Sequence, residues 1–273
     1  IRQAQPMPIL EVNPLGGNQH SLAETLIVGI GAALAFAALS SPTSDRRTFA
    51  LAAAGLMFVV AVLTFSRTAW IVLGLEAVVL GATVFRGDVS KYRRELTYVL
   101  FAAIPLALIM LGYSLTRGAV GSLDARAALS GIAWTFFQGS PLVGVGAGTF
   151  VARVTGTYAF IADFGIPLDS HGIIQKVGAE AGMFGLAALA WLVTATTGLA
   201  WRAWKKIPTG REDRVAYAVL VVTAGASFAY QLTSTSYWTP RLWIPVGLML
   251  AAGRIFSQRE AGRDPDFLLS SYG

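Results

Sequence analysis

The chain contains no cysteine. That excludes disulfides, thiol nucleophiles and thiolate metal centres together. Histidine is scarce as well, with only His20 and His171 in 273 residues. A zinc site would need both of them plus carboxylates, so neither a metal nor any other cofactor is expected. Charge is the third scarcity. Asp, Glu, Lys and Arg make up 13% of the residues while 55% are hydrophobic, and a soluble domain usually carries about twice that share of charge. No signal-peptide pattern opens the chain. The net charge of +6 does not indicate nucleic acid. The basic residues sit in short stretches between apolar runs and form no stripe.

What the chain does have is long apolar runs, seven of them: Leu22–Leu39, Thr48–Thr64, Ala69–Val84, Tyr98–Tyr113, Val177–Ala200, Val215–Leu232 and Leu242–Phe256. Several are short for a bilayer span, which tilt or local thinning accommodates. In lipid the backbone must satisfy itself, and no ten-residue alternation suggests a barrel, so these runs predict helices. The expected fold is all-α: a polytopic membrane helical bundle of about seven spans, forming one domain over residues 1–273 in contact with the lipid bilayer.

Basic residues orient the bundle. If Leu22–Leu39 enters from outside, 14 Lys and Arg fall on one side and 7 on the other, together the 21 of the chain. The positive-inside rule places the richer side in the cytoplasm. The connection 114–176 then lies outside the membrane. Within it, Ser122–Gln138 reads as an amphipathic helix capped by Ser122, with Leu123, Ala127, Ile132 and Phe136 on one face. Ser140–Pro141 ends it, and the glycine-rich GVGAGTF follows as a flexible loop. Ile161–Leu168 reads as irregular. A helix is expected from Asp169 or Ser170, running unbroken into the fifth span.

Few side chains on the outer side suit chemistry. Arg67, in TFSRTAW, sits at a tight turn between two spans. It fits either an interface anchor beside Trp70 or a cation held in a cavity for an anionic partner. Arg126 (LDARAALSGIAW), Arg153 and Arg117 fit solvated loop cations equally well. His171, at the mouth of a helix, is a candidate general base, with Asp169 close in sequence to orient it. A capping or packing histidine is the other reading. Gln175 and Gly178 follow His171 at helical spacing, and Gly178 and Gly182 suit close helix approach. Glu76 and Glu180 lie in or near spans, as buried structural groups or as carriers for a proton-coupled transporter. The loop GVGAGTF has no preceding strand and no lysine, so it is a weak phosphate loop, though its N–H groups suit an anion.

In order, SRTAW, the arginine of DARAALSGIAW, SPLVGVGAGTF and SHGIIQKVGAEAGMFGL resemble the O-antigen ligase and O-antigen polymerase superfamily, and GNQHSLAE resembles the start of one of its spans. The resemblance covers most of Gly17–Gly185. It implies a C-type glycosyltransferase-like membrane enzyme of the inner (cytoplasmic) membrane, with its active site facing the periplasm or cell exterior. The implied donor is an undecaprenyl-diphosphate-linked glycan. The implied acceptor is a glycolipid such as lipid A–core in a ligase, or another lipid-linked repeat in a polymerase. A proton-coupled transporter or flippase is the rival from another class.

By the same resemblance Arg67 and Arg126 match the family arginines and would hold the diphosphate, which removes the need for a metal. His171 matches the family histidine, the general base on the acceptor hydroxyl. Arg241, Arg153, Asp169 and Gln175 are supporting substrate-binding candidates. Two departures stand out. Gly172 replaces a common asparagine, and family members usually have ten or more spans. The additional spans would precede Ile1.

Overall fold

The computed structural model describes residues 19–83, 112, 119–208 and 212–260. Among them there is no strand. The helices are α1 (Gln19–Leu39), α2 (Asp45–Leu63), α3 (Arg67–Thr83), α4 (Ala119–Gly139), α5 (Phe150–Thr155), α6 (Tyr158–Phe164), α7 (Ile173–Lys206), α8 (Glu212–Gln231) and α9 (Pro240–Glu260). Six of the seven expected apolar runs fall on α1, α2, α3, α7, α8 and α9. The run Tyr98–Tyr113 lies, apart from residue 112, outside the described residues. By length and apolarity three helices among the described residues suffice to cross a membrane: His20–Leu39, Asp45–Leu63 and Ile173–Lys206. Large apolar side chains face outward on them and on α3, among them Phe49, Leu56, Ile71 and Trp191. Outward-facing residues of this kind belong to a membrane protein, whose solvent is lipid.

The chain folds as two compact units. One contains, of the described residues, 112, 119–193 and 229–238; the other contains 19–83, 194–208, 212–228 and 239–260.

In the first unit, Leu129 and Ala133 of α4 pack with Phe150 and Val154 of α5, Phe160 of α6 and Ala179 of α7. Phe136 meets Phe150 edge to face at 5.7 Å. The buried stripe of α4 is therefore Ala125, Leu129 and Ala133, with Ile132 and Phe136 beside it. Of the face expected from the sequence, Ile132 and Phe136 pack against this core, whereas Ala127 is exposed. The helix also begins at Ala119, so Ser122 lies inside it rather than at its cap. Gly139 ends it just before Ser140–Pro141, as expected. Part of the segment expected to be irregular is the short helix α6, closed by Gly165 in the left-handed region (φ 76°).

The second unit is held by glycines that let helices close up. A Cβ on Gly31 of α1 would lie 2.0 Å from Thr223 Oγ1 of α8, and one on Gly253 of α9 would lie 2.8 Å from the Tyr217 hydroxyl. Thr223 Oγ1 donates to Glu76 Oε1 of α3 at 2.7 Å, and Tyr217 donates to the Ala200 carbonyl at 3.2 Å. The core around Tyr217 includes Leu80, Ile207, Val219, Met249 and Phe256. Basic and aromatic residues gather where α7 ends: Lys205 lies over Trp201 at 5.2 Å, and Arg214 lies over Trp204 at 4.1 Å. Such pairs suit the level of lipid headgroups.

Candidate active site

The first unit brings together most of the outer-side candidates. His171 lies in a short non-helical stretch ahead of α7, which begins at Ile173 and not at Asp169 or Ser170. The stretch is cradled from both sides. The Thr235 hydroxyl donates to the Ser170 carbonyl at 2.6 Å. Gly172 packs so closely that an added Cβ would stand 2.9 Å from the Leu232 carbonyl oxygen and 3.2 Å from Gln175 Oε1. A larger residue at position 172 would press on the Leu232 carbonyl and on the Gln175 side chain.

The imidazole of His171 titrates below the usual 6.5. Burial is the main cause, the nearby Arg126 charge adds to it, and Asp169 opposes it. A neutral ring at neutral pH is the form a general base requires. Asp169, however, does not orient the ring. Its Oδ2 pairs with the buried Lys176 Nζ at 2.6 Å, and its Oδ1 accepts from the Ser170 N–H at 2.8 Å. Lys176 also lies over the Trp238 ring at 4.2 Å.

Gln175 links the two catalytic candidates. Its Nε2 donates to the Ser130 hydroxyl at 2.9 Å, and that hydroxyl donates to the Arg126 carbonyl at 2.8 Å. The amide thus ties the start of α7, four residues after His171, to α4 at the turn that carries Arg126. Arg153 donates to the Val145 carbonyl at 3.1 Å and braces the glycine loop.

That loop is docked onto a break in α7. The expected unbroken helix is interrupted at Gly182, with φ 61° and ψ −153°, a region essentially restricted to glycine. The break frees backbone groups, and the loop takes them up. Val145 N–H donates to the Ala179 carbonyl and Gly146 N–H to the Glu180 carbonyl, both at 2.9 Å. In return Met183 N–H donates to the Pro141 carbonyl at 2.8 Å and Phe184 N–H to the Leu142 carbonyl at 3.2 Å. The N–H groups of Val145 and Gly146 therefore hold α7 rather than an anion. Positive φ at Gly144, Gly146 and Gly148 builds the loop's shape. Buried Glu180 completes the joint. Its Oε1 accepts from the Phe150 N–H at 2.9 Å, at the start of α5. Its carboxylate also accepts from the Tyr237 hydroxyl, and burial followed by the charges of Glu180 and Asp169 pushes that phenol up to about 12.

The second unit holds Arg67 and Arg241. Arg67 is the first residue of α3. Thr64 Oγ1 donates to the Ala61 carbonyl at 2.6 Å and accepts from Ser66 N–H at 3.3 Å, while Ser66 Oγ accepts from Ala69 N–H at 3.4 Å. Phe65 takes the left-handed conformation, φ 54°, a strain expected only where the surroundings enforce it. Trp70 Nε1 donates to the Val62 carbonyl at 3.0 Å, so the indole closes the turn. A cation at a helix N-terminus gains nothing from the helix dipole. Its placement suits an anion that both would attract.

Arg241 is paired with Glu24 at 3.4 Å, and Glu24 is buried. His20, one turn before Glu24 on α1, meets Ser66 Oγ at 3.1 Å through Nδ1. The GNQHSLAE segment thus braces the Arg67 turn and neutralises Arg241.

Sequence reasoning named Glu180 as a buried structural group and Gly182 as a point of close approach, but it did not foresee the helix break at Gly182, and it missed Lys176 and Glu24. Among the described residues no group of three or more His, Asp or Glu side chains is arranged to hold a metal.

Comparison with curated proteins gives no match. The family model of O-antigen ligases matches residues 52–190, which is half of the chain and includes Arg67, Arg126, Arg153, Asp169, His171 and Gln175. The chain belongs to the O-antigen ligase family.

Proposed function

We propose that this membrane glycan transferase moves a glycan from undecaprenyl diphosphate to a hydroxyl of lipid A–core or a related acceptor at the periplasmic face of the inner membrane. The observation that carries the reading is the nearness of a half-buried His171, its titration lowered, to the Arg126 cation in one compact unit, both on residues matched by the family. In the proposed step His171 takes the proton of the acceptor hydroxyl. The oxygen attacks the anomeric carbon, and the bond to the diphosphate oxygen breaks. Arg126 holds the charge that grows on the departing diphosphate, in the bidentate manner a guanidinium allows. Arg67 is assigned a second grip on the same diphosphate by the family's turn motif. No metal enters this step. The seven-span topology and the C-type transferase architecture belong to the same proposal.

A proton-coupled carrier would need Glu76 and Glu180 to be available. Glu180 instead accepts hydrogen bonds from Phe150 and Tyr237, and Glu76 from Thr223, which favours the transferase. The test is transfer from purified lipid-linked donor in proteoliposomes. Arg126→Ala and Arg67→Ala are expected to lose about 100-fold or more in rate with folding intact. Wild-type rates in both would reject the electrostatic roles. Products joined to core indicate a ligase, and lengthened lipid-linked chains indicate a polymerase. A single displacement also predicts inversion at the anomeric carbon, read by NMR of the product; retention would contradict it.

A further inference from the structure

The turn at Pro141–Val143 has features that the catalytic reading does not use. It is non-helical, yet its side chains are apolar and outward-facing: Leu142 and Val143 are 60% and 61% exposed. It belongs to a stretch with no Asp, Glu, Lys or Arg between Arg126 and Arg153. Its polar backbone is satisfied in part. Pro141 has no N–H, and the carbonyls of Ser140, Pro141 and Leu142 accept from Gly144, Met183 and Phe184. The N–H groups of Leu142 and Val143 are left for water and headgroup oxygens, which suits the headgroup boundary and not the acyl core.

Those last two bonds place the turn against the beginning of the α7 span. There Met183 and Phe184 are themselves exposed, and Trp191, two turns on, continues the same helix face. The apolar surface of the turn is thus continuous with the outward face of a helix apolar enough to cross a membrane. In water, so large an uncharged patch would be a liability.

We propose that Leu142 and Val143 are inserted into the bilayer at the boundary between headgroups and acyl chains, as a wedge beside α7. The occupant of this surface is the surrounding phospholipid. Because the flank of the same loop is fastened to Ala179 and Glu180, the wedge fixes the depth at which α4 and the His171 stretch stand over the membrane. The inference is independent of the transfer chemistry.

The absence of cysteine makes the test direct. Single cysteines at Val143, Phe184 and Asp163 are labelled with a nitroxide, and the protein is placed in phosphatidylcholine–phosphatidylglycerol nanodiscs. Collision rates with oxygen and with a water-soluble nickel chelate are then compared. Labels at Val143 and Phe184 are expected to favour oxygen, whereas a label at Asp163, which is exposed on α6, favours the chelate. A Val143 label that favours the chelate overturns the proposal. So does one shielded from both reagents, as a second copy of the chain would shield it. As a second measurement, Val143→Trp fluorescence is expected to be quenched by lipids brominated near the headgroup, and no added quenching over the parent protein contradicts the wedge.

Discussion

A histidine in a mostly apolar protein can be a base only if something keeps it neutral and something else keeps carboxylates off it. His171 has both. Burial and the Arg126 charge lower its affinity for a proton, and Lys176 engages the nearest acid, Asp169. The groups facing it therefore pull in opposite directions: Arg126 from α4 downward, Asp169 from its own stretch upward. Removing either charge has a defined sign. Arg126→Gln is expected to move the His171 titration up toward 6.5, and Asp169→Asn to move it further down. With only His20 and His171 in the chain, NMR of the imidazole C–H resonances resolves both, and His20→Asn assigns them. An unchanged titration in Arg126→Gln would sever the proposed pairing. The linkage has the same sign. The native state binds the His171 proton less well than the unfolded chain, so its contribution to stability is present above about pH 6.5 and falls as pH drops below it. At this scale His171 and Arg126 were legible, because their residue types and motif context agree. The partner of Asp169 was not. Adjacency in sequence pointed to His171, while the first turn of α7 carries Lys176 back to it.

Helices were legible wherever an apolar run set their length, and α1, α2, α8 and α9 begin and end within a few residues of the expected bounds. The failure fell at α7. Every residue around Gly182 is a tolerable helix former, so nothing local announces a break. The break exists because the Pro141–Gly146 segment supplies the hydrogen bonds that the helix gives up there, a non-local trade invisible to periodicity. It yields a sharp contrast between two glycines four residues apart. Gly182→Ala would force a Cβ to 2.5 Å from the Leu142 carbonyl carbon in a conformation closed to L residues. It is expected to cost about 2 kcal/mol or more and to lower the unfolding midpoint. Gly178→Ala meets only Leu186 Cδ1, at 3.6 Å. It is expected to be neutral or slightly stabilising, since alanine is the better helix former. Equal midpoints for the two variants would refute the docked-loop description.

Among the described residues each unit holds much of its polarity within and turns large apolar side chains outward. Glu24, Glu76, Glu180, Gln231 and Ser236 are buried while Phe49, Ile71 and Trp191 face outward. Scarcity of charge and length of the apolar runs announced that arrangement, and the family followed from motif order. How the buried carboxylates are satisfied was not readable, because Arg241 with Glu24 and Thr223 with Glu76 join residues 217 and 147 positions apart. At this scale the account stands or falls on transfer itself. The decisive measurement is the rate of glycan transfer from purified undecaprenyl-diphosphate-linked donor to lipid A–core by the protein and by His171→Ala in the same proteoliposomes, with unfolding midpoints measured alongside. The account predicts transfer by the parent protein and a loss of at least about 100-fold in the variant at an unchanged midpoint. Transfer at the parent rate by His171→Ala would contradict it.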